Sequence, residues 1–351
     1  MEHPTVTCLS LRGLSSNREP AFWDALLGFH NLRELTMSSF EVFGSNVDKF
    51  WQLCTRLVRL DIFIQHNPDV APPQGEYPNL RHLGVYAMSI VWRTIVSHEK
   101  GFITAMSELL EANALPNLER LLTGTKGINN DLFTRLIQSL PPQINTLTIR
   151  LTQDILKMDF ATLIQPPFSN LRVLELDWYT ETKSNLAQVI MSSCPLLEKL
   201  VVPLVDAHVL TEGDPWVCLK LKVLDLSLCF SPPNTVSHLQ PLVFDRLSKL
   251  TRLEELYLRG PEERGNYETV DLRLEYGLHK LSTLRLLRSI TLRNTREWMG
   301  DAEVDWILRH WKNLMVFDGR LHMYNERLRG ALVKRLEGHE IDVVRVCYRS
   351  V

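Results

Sequence analysis

The side chains best suited to chemistry in this 351-residue chain are its six cysteines and eleven histidines. The cysteines are Cys8, Cys54, Cys194, Cys218, Cys229 and Cys347. None forms a C-x-x-C pair, and their spacing gives neither a disulfide framework nor a zinc site. Cys54, Cys194 and Cys229 stand beside leucine positions, which predicts buried structural thiols rather than nucleophiles. His98-Glu99 and His339-Glu340 lack the second histidine of H-E-x-x-H, so neither predicts zinc. The glycines at Gly124 and Gly127 do not fit the phosphate-binding spacing G-x-x-x-x-G-K-[ST], and no G-x-S-x-G nucleophile turn occurs. With no catalytic constellation, metal set or cofactor motif, the expected function is not enzymatic.

Composition narrows the classes further. Lys plus Arg is 39 and Asp plus Glu is 41, a net charge of −2. That balance predicts no bulk attraction to nucleic acid or an anionic membrane. Hydrophobic residues make up 45% and charged residues 23%, ordinary values for a globular chain. Residues Met1 to Gly13 lack a basic flank followed by an apolar run, no stretch of 18 uninterrupted apolar residues occurs, and no Asn-x-Ser/Thr acceptor is present. The expected location is intracellular, cytoplasmic and/or nuclear.

The elements that must position any site follow from a repeat. The pattern apolar-x-x-apolar-x-apolar reads Leu32-x-x-Leu35-x-Met37, Leu57-x-x-Leu60-x-Ile62 and Leu80-x-x-Leu83-x-Val85. A degenerate unit starts at Leu118, with Leu121 and then Thr123, and the pattern continues from Ile144, Leu171, Leu197, Leu221, Leu253, Leu287 and Leu314, with outliers at Val6 and Ile341. Nine of the twelve intervals between starts fall between 23 and 27 residues. Five starts follow an asparagine (Asn31, Asn79, Asn117, Asn170 and Asn313), and Cys54 and Cys194 stand three residues ahead of theirs. Helix-like connectors lie between the strings: Glu19–Phe29, Asn46–Cys54, Asn130–Leu140, Ser184–Ser193, Val243–Leu250, Ala302–Trp311 and Asn325–Leu336. Ser45, Asn129 and Asp301 are good caps for three of them. Trp23, Trp51, Trp306 and Trp311 sit at core spacing on these connectors. One short strand plus one helix cannot bury its own apolar face, whereas stacked units bury a continuous core.

On these residues the sequence resembles the leucine-rich-repeat family, and most closely the repeat region of F-box/leucine-rich-repeat proteins of the irregular fungal kind. Asn31-Leu32, Asn79-Leu80, Asn170-Leu171, the run Cys194 to Leu197 and the stretch Trp306–Phe317 carry the resemblance. It implies an α/β horseshoe solenoid of the ribonuclease-inhibitor type, with a parallel sheet on the concave face and helices on the convex face. The expected organisation is a single solenoid over residues 1–351 with about 12–13 units. Insertions fall near 87–117, 227–251 and 260–285, and 320–351 forms a C-terminal cap. The polar ninth position of the family pattern is met only by Cys229, which predicts irregular repeats. The repeats start at Val6, leaving no room ahead of them for an F-box, so membership of a ubiquitin-ligase complex is implied by the resemblance alone.

Alternation along each strand turns this fold into a surface map, because the leucines point inward and their neighbours line the concave face. The mapped partner-binding residues are Arg59, Asp61, Phe63, Tyr86, Arg150, Glu175, Asp177, Asp225, Tyr257, Arg259, Arg293 and Arg320. Arg259, Arg293 and Arg320 with Tyr257 form an expected basic patch, and Glu175, Asp177 and Asp225 an acidic one. Arg and Tyr are common anchors at interfaces. The expected function is a non-catalytic protein-interaction scaffold holding a protein partner on the concave face, with neither nucleic acid nor membrane as partner. The resemblance narrows this to the substrate-recognition region of an F-box-type ubiquitin-ligase adaptor, with ligase components as partners. The alternative is a repeat-type regulator of an enzyme, a nuclease inhibitor or GTPase activator.

Overall fold

The computed structural model describes residues 5–12, 19–40, 46–64, 75–87, 106–124, 130–150, 167–177, 185–232, 234–261, 268–296, 298–322 and 325–344. The chain divides into two compact units, Met1–Leu171 and Arg172–Val351. The first carries strands β1 (Cys8–Leu11), β2 (Glu34–Phe40), β3 (Arg59–Ile64), β4 (His82–Ala87), β5 (Arg120–Gly124) and β6 (Thr146–Arg150). Its helices are α1 (Pro20–Gly28), α2 (Asn46–Cys54), α3 (106–111) and α4 (Asn130–Gln138). The second carries β7 (Val173–Asp177), β8 (Lys199–Asp206), β9 (Val223–Cys229), β10 (Glu255–Arg259), β11 (Ser289–Arg293), β12 (Val316–Asp318) and β13 (Asp342–Val344). Its helices are α5 (Leu186–Ser193), α6 (Ala207–Thr211), α7 (Val236–Leu247), α8 (Asp301–His310) and α9 (Glu326–Glu337).

Within each unit every strand pairs in parallel with the next in sequence. The register stacks leucine on leucine. In the first unit Leu35, Leu60, Leu83, Leu121 and Leu147 are successive partners. In the second the row runs Leu174, Leu200, Leu224, Leu256, Ile290, Phe317 and Val343. All of these are buried. A fully buried leucine contributes about 1.5–3 kcal/mol, and strands about 4.8 Å apart place each one on its neighbour, so the row is a continuous core. A one-residue slip would turn every leucine to the opposite face.

Strands β2 to β12 are entered through the same turn. The first apolar residue of the repeat donates its N–H to the carbonyl three residues back: Leu57 to Cys54, Leu80 to Tyr77, Leu118 to Leu115, Leu197 to Cys194, Leu221 to Cys218 and Leu314 to Trp311. From β3 onward the residue at that earlier position is a buried plug, filled in turn by Cys54, Tyr77, Leu115, Pro141, Phe168, Cys194, Cys218, Leu250, Leu284 and Trp311. The two cysteines visible in the repeat, joined by Cys218, are therefore one solution to a packing requirement. The asparagines at the next register position tie one turn to the one before it. Asn79 Nδ2 donates to Thr55 O at 2.9 Å, Asn117 to Pro78 O at 2.8 Å, Asn170 to Pro142 O at 2.8 Å and Asn313 to Arg285 O at 2.7 Å.

The helices pack side by side, α1 on α2, α6 on α7 and α8 on α9, with α6 against β8 and α9 against β13. The four tryptophans expected in the core are buried, and Trp23 meets Phe50, and Trp306 meets Trp311, edge to face. Helix α7 begins at Val236 instead of the expected Val243, because Pro241 is accommodated inside it. Pro241 removes one helical N–H, but Val236, Leu239, Val243, Phe244 and Leu247 bury a full apolar face around it. At α8 the cap is Gly300 rather than Asp301, and Glu303 Oε2 accepts from the Gly300 N–H at 2.8 Å. Ser45 and Asn129 lie outside the described residues.

The described residues of 87–117 include α3, and those of 227–251 include α7. In 260–285 two short 3-10 turns, Leu274–Tyr276 and Leu278–Thr283, stand where other repeats have an α-helix. Val270, Leu272, Leu278 and Leu281 are buried there, so this segment supplies core. The fully buried Gln240 clamps it from α7: Nε2 donates to Asp271 O at 2.6 Å and Tyr276 O at 2.9 Å, and Oε1 accepts from Asp271 N at 2.8 Å. Gly277, at φ +97°, takes the left-handed turn between the two 3-10 segments while pressed against Pro241. Among the described residues no helix is long and apolar enough to cross a membrane.

Candidate functional site

The sheet face opposite the leucine rows carries the charged side chains, and each unit presents its own arrangement. In the first unit the centre is Asp61 on β3, only 4% exposed. Arg59 Nε donates to Asp61 Oδ2 at 2.7 Å, and His82 Nε2 on β4 lies 3.0 Å from Oδ1. Gly84 is the in-register partner of Asp61, so no side chain stands directly beside the carboxylate on β4 and His82, two residues earlier, reaches it. Burial pushes the Asp61 carboxyl up, but hydrogen bonds from His82 and Arg59 outweigh it and leave its pKa below the usual value. Phe63, two residues on, is half-buried.

In the second unit the alternation is strict on β10, where Leu256 and Leu258 are buried and Glu255, Tyr257 and Arg259 face outward. Register places Asp225 beside Tyr257, and Thr291 beside both Tyr257 and Asp318. Arg259 Nη2 donates to Asp225 Oδ2 at 2.5 Å, and Arg293 Nη2 to Asp318 Oδ2 at 3.4 Å. Lys199 Nζ lies 2.5 Å from Glu175 Oε1, and Tyr257 Oη donates to Glu255 Oε2 at 2.9 Å. The arginine side chains are 42% and 46% exposed, their aspartates 13% and 11%. The carboxylates thus form a floor and the guanidinium groups the outer layer. For Asp225 burial raises the pKa, and the attraction of Arg259, Arg293 and Lys199 does not offset it.

Two glycines fix the arginine row. A Cβ on Gly260 would sit 2.0 Å from the Asn294 carbonyl oxygen, and one on Gly319 would sit 2.9 Å from Leu292 Cβ. Only glycine permits these approaches. Gly260 N donates to Arg293 O at 2.7 Å, continuing the register in which Arg259 partners Arg293. Gly319, packed on Leu292, leads from the end of β12 at Asp318 into Arg320.

The sequence map therefore needs revision in one respect. Asp225 is the partner of Arg259, so acidic and basic residues interleave instead of forming two patches. Arg59 with Asp61, and Asp225, Tyr257, Arg259 and Arg293 with one another, are brought together. The side chains of Tyr86, Arg150 and Asp177 lie outside the described residues, although their positions are on β4, β6 and β7. The map missed His82, Lys199, Glu255 and Asp318 as partners of mapped residues. Three of these belong to the first outward position of the strand, which the same alternation identifies.

A second charged row runs along the residues that precede the strands. Arg172 pairs with Glu198 at 3.1 Å, Lys222 with Glu198 at 2.8 Å and Arg288 with Glu254 at 3.8 Å. These pairs are exposed, and such pairs contribute about 0–1 kcal/mol each. The Cys194 and Cys218 thiols are each pushed up to about 12, first of all by burial, and Cys54 is raised by burial as well. Such thiols carry almost no thiolate at neutral pH. Among the described residues no group of three His, Cys, Asp or Glu could hold a metal ion.

Consecutive parallel strands, a buried apolar residue at the same register place from β2 to β13 and one turn repeated before β2 to β12 decide the fold. The chain folds as leucine-rich repeats. No family model matches the sequence, and no curated protein matches it. Among solved structures it is similar to an internalin from Listeria monocytogenes, at 14% identity over 90% of this chain and 81% of that one, with a TM-score of 0.45. It is similar to a leucine-rich-repeat protein of Leptospira interrogans, at 14% identity over 98% and 96% of the two chains, with a TM-score of 0.39. It is also similar to a chain of the yeast Rad7 and Elc1 complex, at 14% identity over 95% and 88%, with a TM-score of 0.41.

Proposed function

We propose that the chain is a non-catalytic protein-interaction scaffold that takes its partner on the open sheet face of the second unit. The observation that carries this reading is the layered face itself, with guanidinium groups held over buried carboxylates and Tyr257 between them. Side chains fixed in place lose little freedom when a partner docks, which is the condition for an efficient anchor. The finer reading follows the sequence resemblance: the substrate-recognition region of an F-box-type ubiquitin-ligase adaptor, raising the local concentration of a substrate beside a ligase.

The test locates the partner by proximity. A photo-crosslinking residue is placed at position 257 of the tagged chain and, as control, at position 242, where Leu242 is exposed on helix α7. In native cells the expected result is one dominant protein adduct from position 257 and none from 242. An adduct from 242 alone overturns the sheet-face reading. The ligase reading further expects ubiquitin-ligase subunits in the same purified complex, and their absence overturns that refinement.

A further inference from the structure

We infer that the partner offers an acidic protein segment, a run of Asp and Glu side chains, to the row Arg259–Arg293–Arg320. This rests on the sheet-face reading and narrows its partner.

The row is built by the backbone. Gly260 and Gly319 each allow an approach that no other residue fits: Gly260 follows Arg259, the register partner of Arg293, and Gly319 packs on Leu292 and leads into Arg320, two residues past the end of β12. At about 4.8 Å per strand the row spans about 10 Å, and same-side residues of an extended segment recur about every 6.6–6.8 Å, so two or three Glu side chains reach it. A guanidinium carries five N–H donors. Arg259 gives one hydrogen bond, from Nη2 to Asp225, and Arg293 one long bond, from Nη2 to Asp318. The geometry leaves donors for carboxylates arriving from solvent, in the fork arrangement that arginine makes with them.

The same face argues against a polyanion of high charge density. Lys199, Arg259, Arg293 and Arg320 are balanced by Glu175, Asp225, Glu255 and Asp318, and the chain's net charge is −2. A nucleic acid needs a net positive field that attracts its closely spaced phosphates. Spaced carboxylates meeting individual guanidinium groups need only the local layering, with cations outside and anions beneath.

The probe is fluorescein-labelled hexaglutamate, titrated with the full chain at low ionic strength and followed by anisotropy. Hexalysine and a thymidine oligonucleotide of equal length are the comparison probes. The expected result is saturable binding of hexaglutamate and weaker binding of both others. Arg320→Gln weakens it by about tenfold, roughly the loss of one charge-assisted hydrogen bond. The double variant Arg259→Lys, Arg293→Lys keeps a cation over each buried aspartate, so folding is preserved, and loses several-fold in affinity with the fork geometry. Equal thermal melting of parent and variants shows that the losses are not unfolding. Absence of saturable binding, equal affinity for the oligonucleotide, or undiminished binding by both variants overturns the inference. An adduct from position 257 together with no hexaglutamate binding removes the acidic segment and leaves the scaffold reading; no adduct removes that reading too.

Discussion

Asp61 and Asp225 occupy the same outward position in different repeats, yet their carboxyl groups move in opposite directions. Neutralising each in turn isolates the cause. In the folded chain Asp61 holds its proton more weakly than in the unfolded chain, so its ionised form favours folding. That contribution is complete above the ordinary aspartate value of about 3.9 and is lost as pH falls through the lower folded value. Asp225 holds its proton more strongly when folded, so its neutral form favours folding. That contribution is complete below about pH 3.9 and is lost as pH rises through the higher folded value. Asp61→Asn removes two charge-assisted hydrogen bonds, but Arg59 is 46% exposed and water replaces part of the loss, so about 1–3 kcal/mol is expected at pH 7. Asp225→Asn removes a charge whose desolvation its neighbours do not offset, while its amide oxygen still accepts from Arg259, and the expected change is within about 0.5 kcal/mol. The assay is urea unfolding of parent and both variants between pH 3 and pH 8. The Asp61→Asn deficit should shrink as the pH approaches 3, and Asp225→Asn should gain on the parent as pH rises from 4. Equal deficits at pH 7, or an Asp61→Asn deficit unchanged at pH 3, would refute the reasoning.

Four further outcomes are expected. Gly260→Ala drives a Cβ into the Asn294 carbonyl, a backbone atom that cannot rotate away, and destabilises by about 1–3 kcal/mol in thermal unfolding. Gln240→Leu orphans the buried backbone groups of Asp271 and Tyr276, at about 1–3 kcal/mol per group, and hydrogen exchange should rise first in 268–285. Asn79→Ala and Asn313→Ala each lose one exposed bridge between turns and cost about 0.5–1 kcal/mol, read from urea midpoints. In thiol labelling of the native chain the exposed Cys8 should react within the dead time, while Cys54, Cys194 and Cys218 react only after denaturant is added.

The repeat was legible because it rests on the most local signals, leucine spacing and strand alternation. Helix α2 falls on the expected Asn46–Cys54 for the same reason. Helix α7 was not legible, since Pro241 reads locally as a stop and only the burial of Val243, Phe244 and Leu247 overrides it. The 3-10 turns of 274–283 were hidden similarly: they depend on Gln240, more than thirty residues away, to satisfy their backbone. At the site, alternation identified which residues face outward. It could not say that Asp225 lies beneath Arg259, because that depends on side-chain length: an aspartate stays near the sheet and becomes desolvated, while an arginine extends over it.

The plug position explains how one architecture persists under so irregular a sequence. The backbone repeats a single turn before β2 to β12, in which the N–H of the leading apolar residue closes on the carbonyl three residues back. The core demands that the residue supplying that carbonyl be apolar, and little more. Cysteine, tyrosine, leucine, phenylalanine and tryptophan all meet the demand, differing mainly in how much space they take from the neighbouring helix. The strand register is set by the stacked apolar row, not by the identity of the plug. Constraint therefore concentrates in the strands, where every change of face is ruled out. Variation collects in the connectors, where one repeat can exchange an α-helix for 3-10 turns and still bury its core. The outward strand positions escape both constraints. Where Arg259 and Arg293 stand side by side on β10 and β11, packing does not account for the choice of arginine, and that is why the proposed partner is sought there.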